Sequence, residues 1–107
     1  MIRALLFAAL LLPAMAGAGQ TTVTIVIDKY AFSQPALKVP AGTTVEWVNK
    51  DDTPHNVAAV AGGFKSPPLD TGDSWSRKFD KPGDFAYFCQ LHPHMTGRIT
   101  VTPAGSP

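Results

Sequence analysis

Residues 84–102 read DFAYFCQLHPHMTGRITVT. Phe85, Tyr87 and Cys89 alternate with their neighbours, so they fall on one face of an extended chain and predict a half-buried strand. A second strand-like run covers residues 97–102. The loop between the two strands carries a thiol, two imidazoles and a thioether. A short loop of this kind can hold those side chains close together on rigid strand ends.

The rest of the chain also consists of short strand-like segments separated by turns. No segment shows the periodicity of an amphipathic helix, and turn signals recur about every 8–12 residues. Arg77 falls on the same predicted face as Trp75 and Phe79, which we interpret as an edge position. Further strands are predicted at residues 22–28, 36–39, 43–49 and 74–79. This pattern favours an all-β domain, either a β-sandwich or a β-barrel.

The N-terminus has the features of a secretory signal peptide. Arg3 supplies a basic start, residues 4–12 form an unbroken apolar run, and residues 14–16 or 16–18 fit the small-x-small pattern of a cleavage site. An uncleaved membrane anchor is the alternative, but the run is shorter than the roughly 20 residues that a spanning helix needs. We therefore predict a signal peptide at residues 1–18, one domain at residues 19–107, and no membrane insertion after cleavage.

The charge balance argues against a nucleic-acid partner. The chain has 9 lysines and arginines against 8 aspartates and glutamates, and loss of Arg3 with the signal peptide makes the two numbers equal. A neutral domain has no basic surface that attracts phosphates. It also lacks the single-sign surface that steers strongly charged partners.

Cys89 is the only cysteine of the chain, so it cannot form an internal disulfide. A free thiol in an oxidising compartment is open to oxidation unless something occupies it, and a bound metal would do so. A thiolate, two imidazoles and a weak thioether are the ligands of a mononuclear copper site that cycles between Cu(I) and Cu(II). The spacing Cys89-x2-His92-x2-Met95 supplies three of them, and His55 is the candidate for the fourth.

Two other kinds of site use some of the same residues. Zinc binds cysteine, histidine and carboxylate, and Asp51 or Asp52 could supply the carboxylate, but methionine does not belong to this ligand set. A nucleophilic enzyme would use Cys89 as its nucleophile and His55 or His92 as its base. It would also need a substrate cleft and an oxyanion hole, which nothing in so short a chain indicates.

The chain resembles the small blue-copper cupredoxins, which include the amicyanins and plastocyanins, in three segments. These are residues 45–49 (VEWVN), 54–57 (PHNV) and 89–95 (CQLHPHM). The resemblance covers nearly all of residues 19–107. It implies a Greek-key β-sandwich with one type 1 copper ion near one end. It also implies electron carriage in the periplasm or thylakoid lumen rather than catalysis.

The resemblance assigns a role to each metal ligand. It implies that His55, Cys89 and His92 bind copper in a trigonal arrangement and that Met95 is the axial ligand. Gln90 stands where the family usually has a small hydroxyl residue, which meets the asparagine that follows the first histidine ligand.

We predict a periplasmic electron carrier, not an enzyme, that passes single electrons between redox partner proteins. Leu91, Pro93 and Pro54 are expected to surround His92 with apolar surface, where partners dock transiently. The carrier is predicted to be a monomer. The alternative is a copper-binding module that buffers or delivers copper without electron transfer. We favour the carrier, because a thiolate fixed between two strands exchanges its metal poorly.

Overall fold

The computed structural model describes residues 21–105, and these residues form two four-stranded sheets that pack face to face. The predicted signal peptide at residues 1–18 lies outside the described residues. Within residues 21–105, no helix is long and apolar enough to cross a lipid bilayer. The described strands are β1 (Thr22–Asp28), β2 (Ala31–Phe32), β3 (Ala36–Pro40), β4 (Thr43–Asn49), β5 (Ala58–Ala59), β6 (Ser74–Phe79), β7 (Gly83–Phe88) and β8 (Thr96–Thr102).

The first sheet has the strand order β2-β1-β4-β6, and the second has the order β3-β8-β7-β5. β1 pairs with β4 and β3 pairs with β8 in parallel, whereas the other neighbours are antiparallel. From β2 to β7, successive strands alternate between the two sheets, as in Greek-key sandwiches. The prediction of an all-β Greek-key sandwich is therefore confirmed. The strands predicted at residues 22–28, 43–49 and 74–79 also have the predicted bounds.

Trp47 lies at the centre of the core between the two sheets. Its strand, β4, has a neighbour on each side, and its residues alternate between buried and half-buried. Trp47 is paired with Ile25 in β1 and with Trp75 in β6. From the other sheet, Tyr87 packs edge-on against the indole, with ring centroids 5.3 Å apart. The buried face of β4 therefore packs against the second sheet and connects the two sheets through the core.

Arg77 lies on β6, which is an edge strand of its sheet, as predicted. Its guanidinium carbon is 5.0 Å from the ring centre of Phe64 and 5.6 Å from that of Phe79. A guanidinium group over an aromatic ring gains about 0.5–2 kcal/mol from the cation–π interaction. The two rings therefore explain why a charged residue occurs on an aromatic face.

Tyr87 is completely buried, and its hydroxyl has no hydrogen-bond partner within residues 21–105. Burial raises the pKa of Tyr87 from 10.0 to about 12, because the phenolate would lose its hydration. The indole N–H of Trp47 opposes this shift of the pKa, although it does not reach hydrogen-bond geometry with the hydroxyl. Gly97 on β8 makes room for the ring, since a Cβ atom there would lie 2.8 Å from Cε2 of Tyr87.

We expect the protein to lose stability at alkaline pH because of Tyr87. Its pKa is 10.0 in the absence of burial and about 12 in the folded state, so the folded state holds the phenol proton more tightly. This stabilisation is complete below the unfolded pKa. It should fall by about 1.4 kcal/mol per pH unit as the pH rises from the unfolded pKa to the folded one. Denaturant unfolding across this range measures the slope, and Tyr87→Phe should lack the tyrosine contribution. Equal slopes in the two proteins would contradict this account.

Candidate metal centre

Asn49, the last residue of β4, shapes the loop that carries His55. Its buried side-chain amide donates hydrogen bonds to the carbonyl oxygens of Thr53 (3.0 Å) and Leu69 (2.8 Å). His55 pairs with Leu69 through two backbone hydrogen bonds of 3.1 and 2.7 Å. These bonds hold the loop against the segment that precedes β6 and leave His55 completely buried.

The second loop, residues 89–95, joins β7 to β8 and is closed by its own backbone. The N–H of Cys89 donates to the carbonyl oxygen of Met95 at 3.1 Å, and the N–H of Met95 donates to that of His92 at 2.9 Å. Cys89 and Met95 are buried, whereas His92 is half-buried. The loop therefore keeps three of the four predicted ligands near one another.

Three donor atoms of the predicted ligands converge on one point. Sγ of Cys89 lies 3.7 Å from Nδ1 of His55 and 3.8 Å from Nδ1 of His92, and the two nitrogens are 3.2 Å apart. A point equidistant from three atoms with these separations is about 2.1 Å from each. Histidine nitrogen and cysteine sulfur bind zinc, a divalent ion of similar size to copper, at ~2.0–2.3 Å. The three donor atoms therefore have the separations that binding one divalent metal ion would require.

Met95 lies in the same buried cluster as Cys89 and is 2% exposed. A thioether is a weak, soft donor that suits copper and is absent from the usual ligands of zinc. The carbonyl oxygen of Met95 accepts the hydrogen bond from the N–H of Cys89, so Met95 lies next to Cys89 in this loop. Its role as the axial ligand stays a prediction.

Comparison with known proteins agrees with this geometry. A family described as the cupredoxin-like domain matches residues 1–101. This chain belongs to the cupredoxin family. The resemblance on which the sequence prediction rested is thereby confirmed.

Individual cupredoxins are similar to this chain over most of its length. It is 36% identical to amicyanin-alpha of Methylorubrum extorquens over an alignment of 91 positions, which covers 80% of this chain and 75% of that protein. It is 34% identical to amicyanin of Paracoccus denitrificans over 74% of this chain and 64% of that protein. A solved purple cupredoxin from Nitrosopumilus maritimus superposes with a TM-score of 0.70 at 36% identity, covering 75% of this chain and 99% of that one.

In this cupredoxin a carboxylate holds the far nitrogen of His55. Nε2 of His55 is 2.9 Å from Oδ2 of Asp51, and the ring turns its Nδ1 toward Cys89. The hydrogen bond from His55 lowers the pKa of Asp51, and burial opposes this shift. The backbone N–H groups of Tyr30 and Asp52 also donate to the carboxylate and lower its pKa further. A carboxylate in this position fixes the tautomer and the orientation of a histidine ligand.

The zinc alternative relied on Asp51 or Asp52 as a ligand, and the structure places neither carboxylate among the converging donors. Asp51 is bonded to the His55 nitrogen that faces away from Cys89, and Asp52 is exposed. Sequence reasoning did not identify the contact between Asp51 and His55. The sequence feature that could have indicated this contact is that Asp51 lies four positions before His55.

Asn56 and Gln90 join the two loops of the cupredoxin site. The backbone N–H of Asn56 donates to Sγ of Cys89 at 3.4 Å. The Asn56 amide donates to Oε1 of Gln90 at 2.9 Å, and the backbone N–H of Gln90 donates to Oδ1 of Asn56 at 2.7 Å. Gln90 therefore maintains the link to Asn56 that the family usually makes with a small hydroxyl residue. The link also holds the backbone N–H of Asn56 that donates to the Cys89 sulfur.

Two further residues lie near the cupredoxin site. His94, the second imidazole of the 89–95 loop, is exposed and does not belong to the cluster of donors. Tyr30 packs edge-on against the rings of both His55 and His92. Sequence reasoning assigned no role to Tyr30, because its contact depends on how the β1–β2 turn meets the loop that carries His55.

Proposed function

We propose that this cupredoxin is a periplasmic electron carrier with one type 1 copper ion bound by His55, Cys89, His92 and Met95. The observation that carries the proposal is the convergence of one sulfur and two imidazole nitrogens within 4.8 Å of one another. Bound copper would supply the one-electron change between Cu(I) and Cu(II). The similarity to proteins named amicyanin supports this assignment, and the family agrees with the prediction that the chain is not an enzyme.

The chain contributes a fixed arrangement of donors. Electron transfer is fast when neither oxidation state requires the ligands to rearrange, so the ligands should be held before the metal arrives. Asp51 holds His55, and the N–H of Asn56 holds the sulfur of Cys89. His92 is the half-buried member of the donor set, and its ring edge is the exit that we propose for the electron.

The rival proposal is a module that buffers or delivers copper. Delivery needs ligands that exchange easily, whereas the Cys89 sulfur is completely buried and accepts a backbone hydrogen bond. Periplasmic location is supported by the signal-peptide features of residues 1–18. These two points favour an exported carrier that keeps its copper.

The proposal is tested on the purified protein after loading with Cu(II). A carrier should show an intense visible absorption, fast electron exchange between its oxidised and reduced forms, and slow transfer of Cu(I) to a competing chelator. Line broadening in the NMR spectrum of mixed oxidised and reduced protein measures the exchange rate. Rapid loss of Cu(I) together with slow electron exchange would favour the delivery module instead.

The surface around His92 suits transient partners. Leu91 is 50% exposed and Tyr30 is 44% exposed, and Pro54 and Pro93 are also exposed. A small apolar patch lets a redox partner dock and leave quickly. We propose that partners dock here and that the carrier itself is a monomer.

Electron transfer to the redox partner should depend only weakly on salt. We expect this weak dependence because the numbers of positive and negative side chains are equal once Arg3 has been removed with the signal peptide. We expect the rate to change less than about threefold between ~10 mM and ~150 mM ionic strength. Leu91→Lys, which puts a charge into the patch, should make the rate depend on salt. A steep fall in the wild-type rate would mean that a charged surface directs docking.

Met95→Leu should retain copper and raise the reduction potential. Cu(I) tolerates three ligands better than Cu(II), so loss of the thioether weakens the oxidised form more. A rise of about 60 mV corresponds to a tenfold change in relative affinity for one electron. Leucine has a similar volume, so the unfolding free energy of the metal-free protein should change by less than about 1.5 kcal/mol. An unchanged potential would show that Met95 does not face the metal.

A further inference from the structure

The turn between β1 and β2 has an unusual backbone. Asp28 pairs with Ala31 across this hairpin, so the turn consists of residues 29 and 30. Lys29 has a φ of 52° and Tyr30 a φ of 59°. Two-residue hairpin turns with positive φ normally use glycine, asparagine or aspartate, because Cβ makes this conformation unfavourable for other residues. Such strain often occurs at functional sites.

Two hydrogen bonds hold Tyr30 against the loop that carries His55. Its backbone N–H donates to Oδ2 of Asp51 at 3.1 Å. The same carboxylate oxygen is bonded to Nε2 of His55. The Tyr30 hydroxyl lies 3.1 Å from the hydroxyl of Thr53. The backbone and the far end of the side chain are therefore both fixed to one loop.

The ring of Tyr30 contacts both imidazoles at once. Its centroid is 5.4 Å from that of His55 at an interplanar angle of 87°, and 4.9 Å from that of His92 at 89°. Both are edge-to-face arrangements, which aromatic rings favour. The Cys89 sulfur lies at a similar distance from both rings, but only His55 is also held at its other ring nitrogen, by Asp51. His55 is completely buried, whereas His92 is half-buried. The restraint from Tyr30 is therefore most important for His92.

We propose that Tyr30 is a positioning residue that holds the His92 ring in the orientation in which its Nδ1 faces Cys89, and that the strained turn serves to place it there. The inference rests on the proposed function, because it treats His55 and His92 as ligands. Its test is separate, since ring orientation is measured in the metal-free protein and does not depend on which metal binds.

The experiment compares the histidine ring signals in NMR spectra of the metal-free full-length protein and its variants. Tyr30→Ala and Tyr30→Leu remove the aromatic edge, and Leu also retains most of the side-chain volume. Tyr30→Phe retains the ring and loses only the bond to Thr53. Lys29→Ala is the matched control, because it changes the other residue of the same turn without removing a ring.

We expect Tyr30→Ala and Tyr30→Leu to raise the population of displaced His92 rings about two- to tenfold, the range that one aromatic pair supports. This appears as exchange broadening of the His92 ring signals. Tyr30→Phe and Lys29→Ala should resemble the wild type. In copper-loaded protein of equal occupancy, Tyr30→Leu should also exchange electrons more slowly than Tyr30→Phe.

Unchanged His92 signals in Tyr30→Leu would overturn the proposal. Equal broadening in Lys29→Ala would overturn it too, because the turn rather than the ring would then be responsible. If Tyr30→Ala does not fold, the comparison of Tyr30→Leu with Tyr30→Phe decides. A wild-type protein that binds Cu(II) without colour would instead contradict the proposed function and leave the ring measurement valid.

Discussion

Cys89→Ser should abolish the intense visible absorption of the Cu(II)-loaded protein. The absorption arises when charge moves from a thiolate to Cu(II), and Cys89 is the only thiol of the chain. A serine oxygen is a harder donor and does not supply this transition. The loss should be complete, because the other donors are imidazoles and a thioether. Visible absorbance at equal Cu(II) occupancy is the measurement.

His94→Asn is the control for this experiment. It removes an imidazole from the same loop, but His94 is exposed and lies outside the donor cluster, so the colour should remain. A wild-type protein that is colourless with stoichiometric Cu(II) would contradict the type 1 assignment. Colour that persists in Cys89→Ser would show that the sulfur does not bind the metal.

Gly97→Ala should destabilise the fold strongly without changing any predicted ligand. A Cβ atom at this position would lie 2.8 Å from Cε2 of Tyr87 and closer still to its Cζ and hydroxyl oxygen. The ring is completely buried against Trp47, so it cannot move aside freely. We expect a loss of about 3 kcal/mol in the free energy of unfolding. This corresponds to a fall of roughly 12–24 °C in Tm.

Gly62→Ala provides the matched control for Gly97→Ala. Gly62 has a φ of +83° and no atom within 4 Å of a Cβ built there, so alanine adds backbone strain without a clash. The expected loss is only about 1–2 kcal/mol. In a Tyr87→Leu background, Gly97→Ala should also have a smaller effect, because the ring is gone. Equal losses in the Gly62 and Gly97 variants would show that the close approach to Tyr87 has no special importance.

The strands and the main donors could be predicted because both depend on neighbours in the chain. Residues 43–49 alternate between inward and outward side chains, and that period alone predicts a strand with the bounds of β4. Cys89, His92 and Met95 lie within one seven-residue loop, so their proximity follows from chain length. His55 was a more distant candidate, and the structure brings its Nδ1 to 3.7 Å from the Cys89 sulfur.

The surroundings of the donors could not be predicted in the same way. Tyr30 belongs to the β1–β2 turn, Asp51 to the loop after β4 and Gln90 to the loop after β7. In sequence, each has the properties of an ordinary polar or aromatic surface residue with many possible partners. The bond between Gln90 and Asn56 spans 34 positions, so no local pattern indicates it.

The amino-acid sequence alone thus specifies the all-β pattern and the kinds of donor atom, because residue type and spacing are local properties. The tertiary structure decides which groups hold those donors. A hydrogen bond or an edge-to-face contact forms only within a few ångströms, and the packing of the two sheets sets those distances. That packing makes one oxygen of Asp51 an acceptor for both Tyr30 and His55.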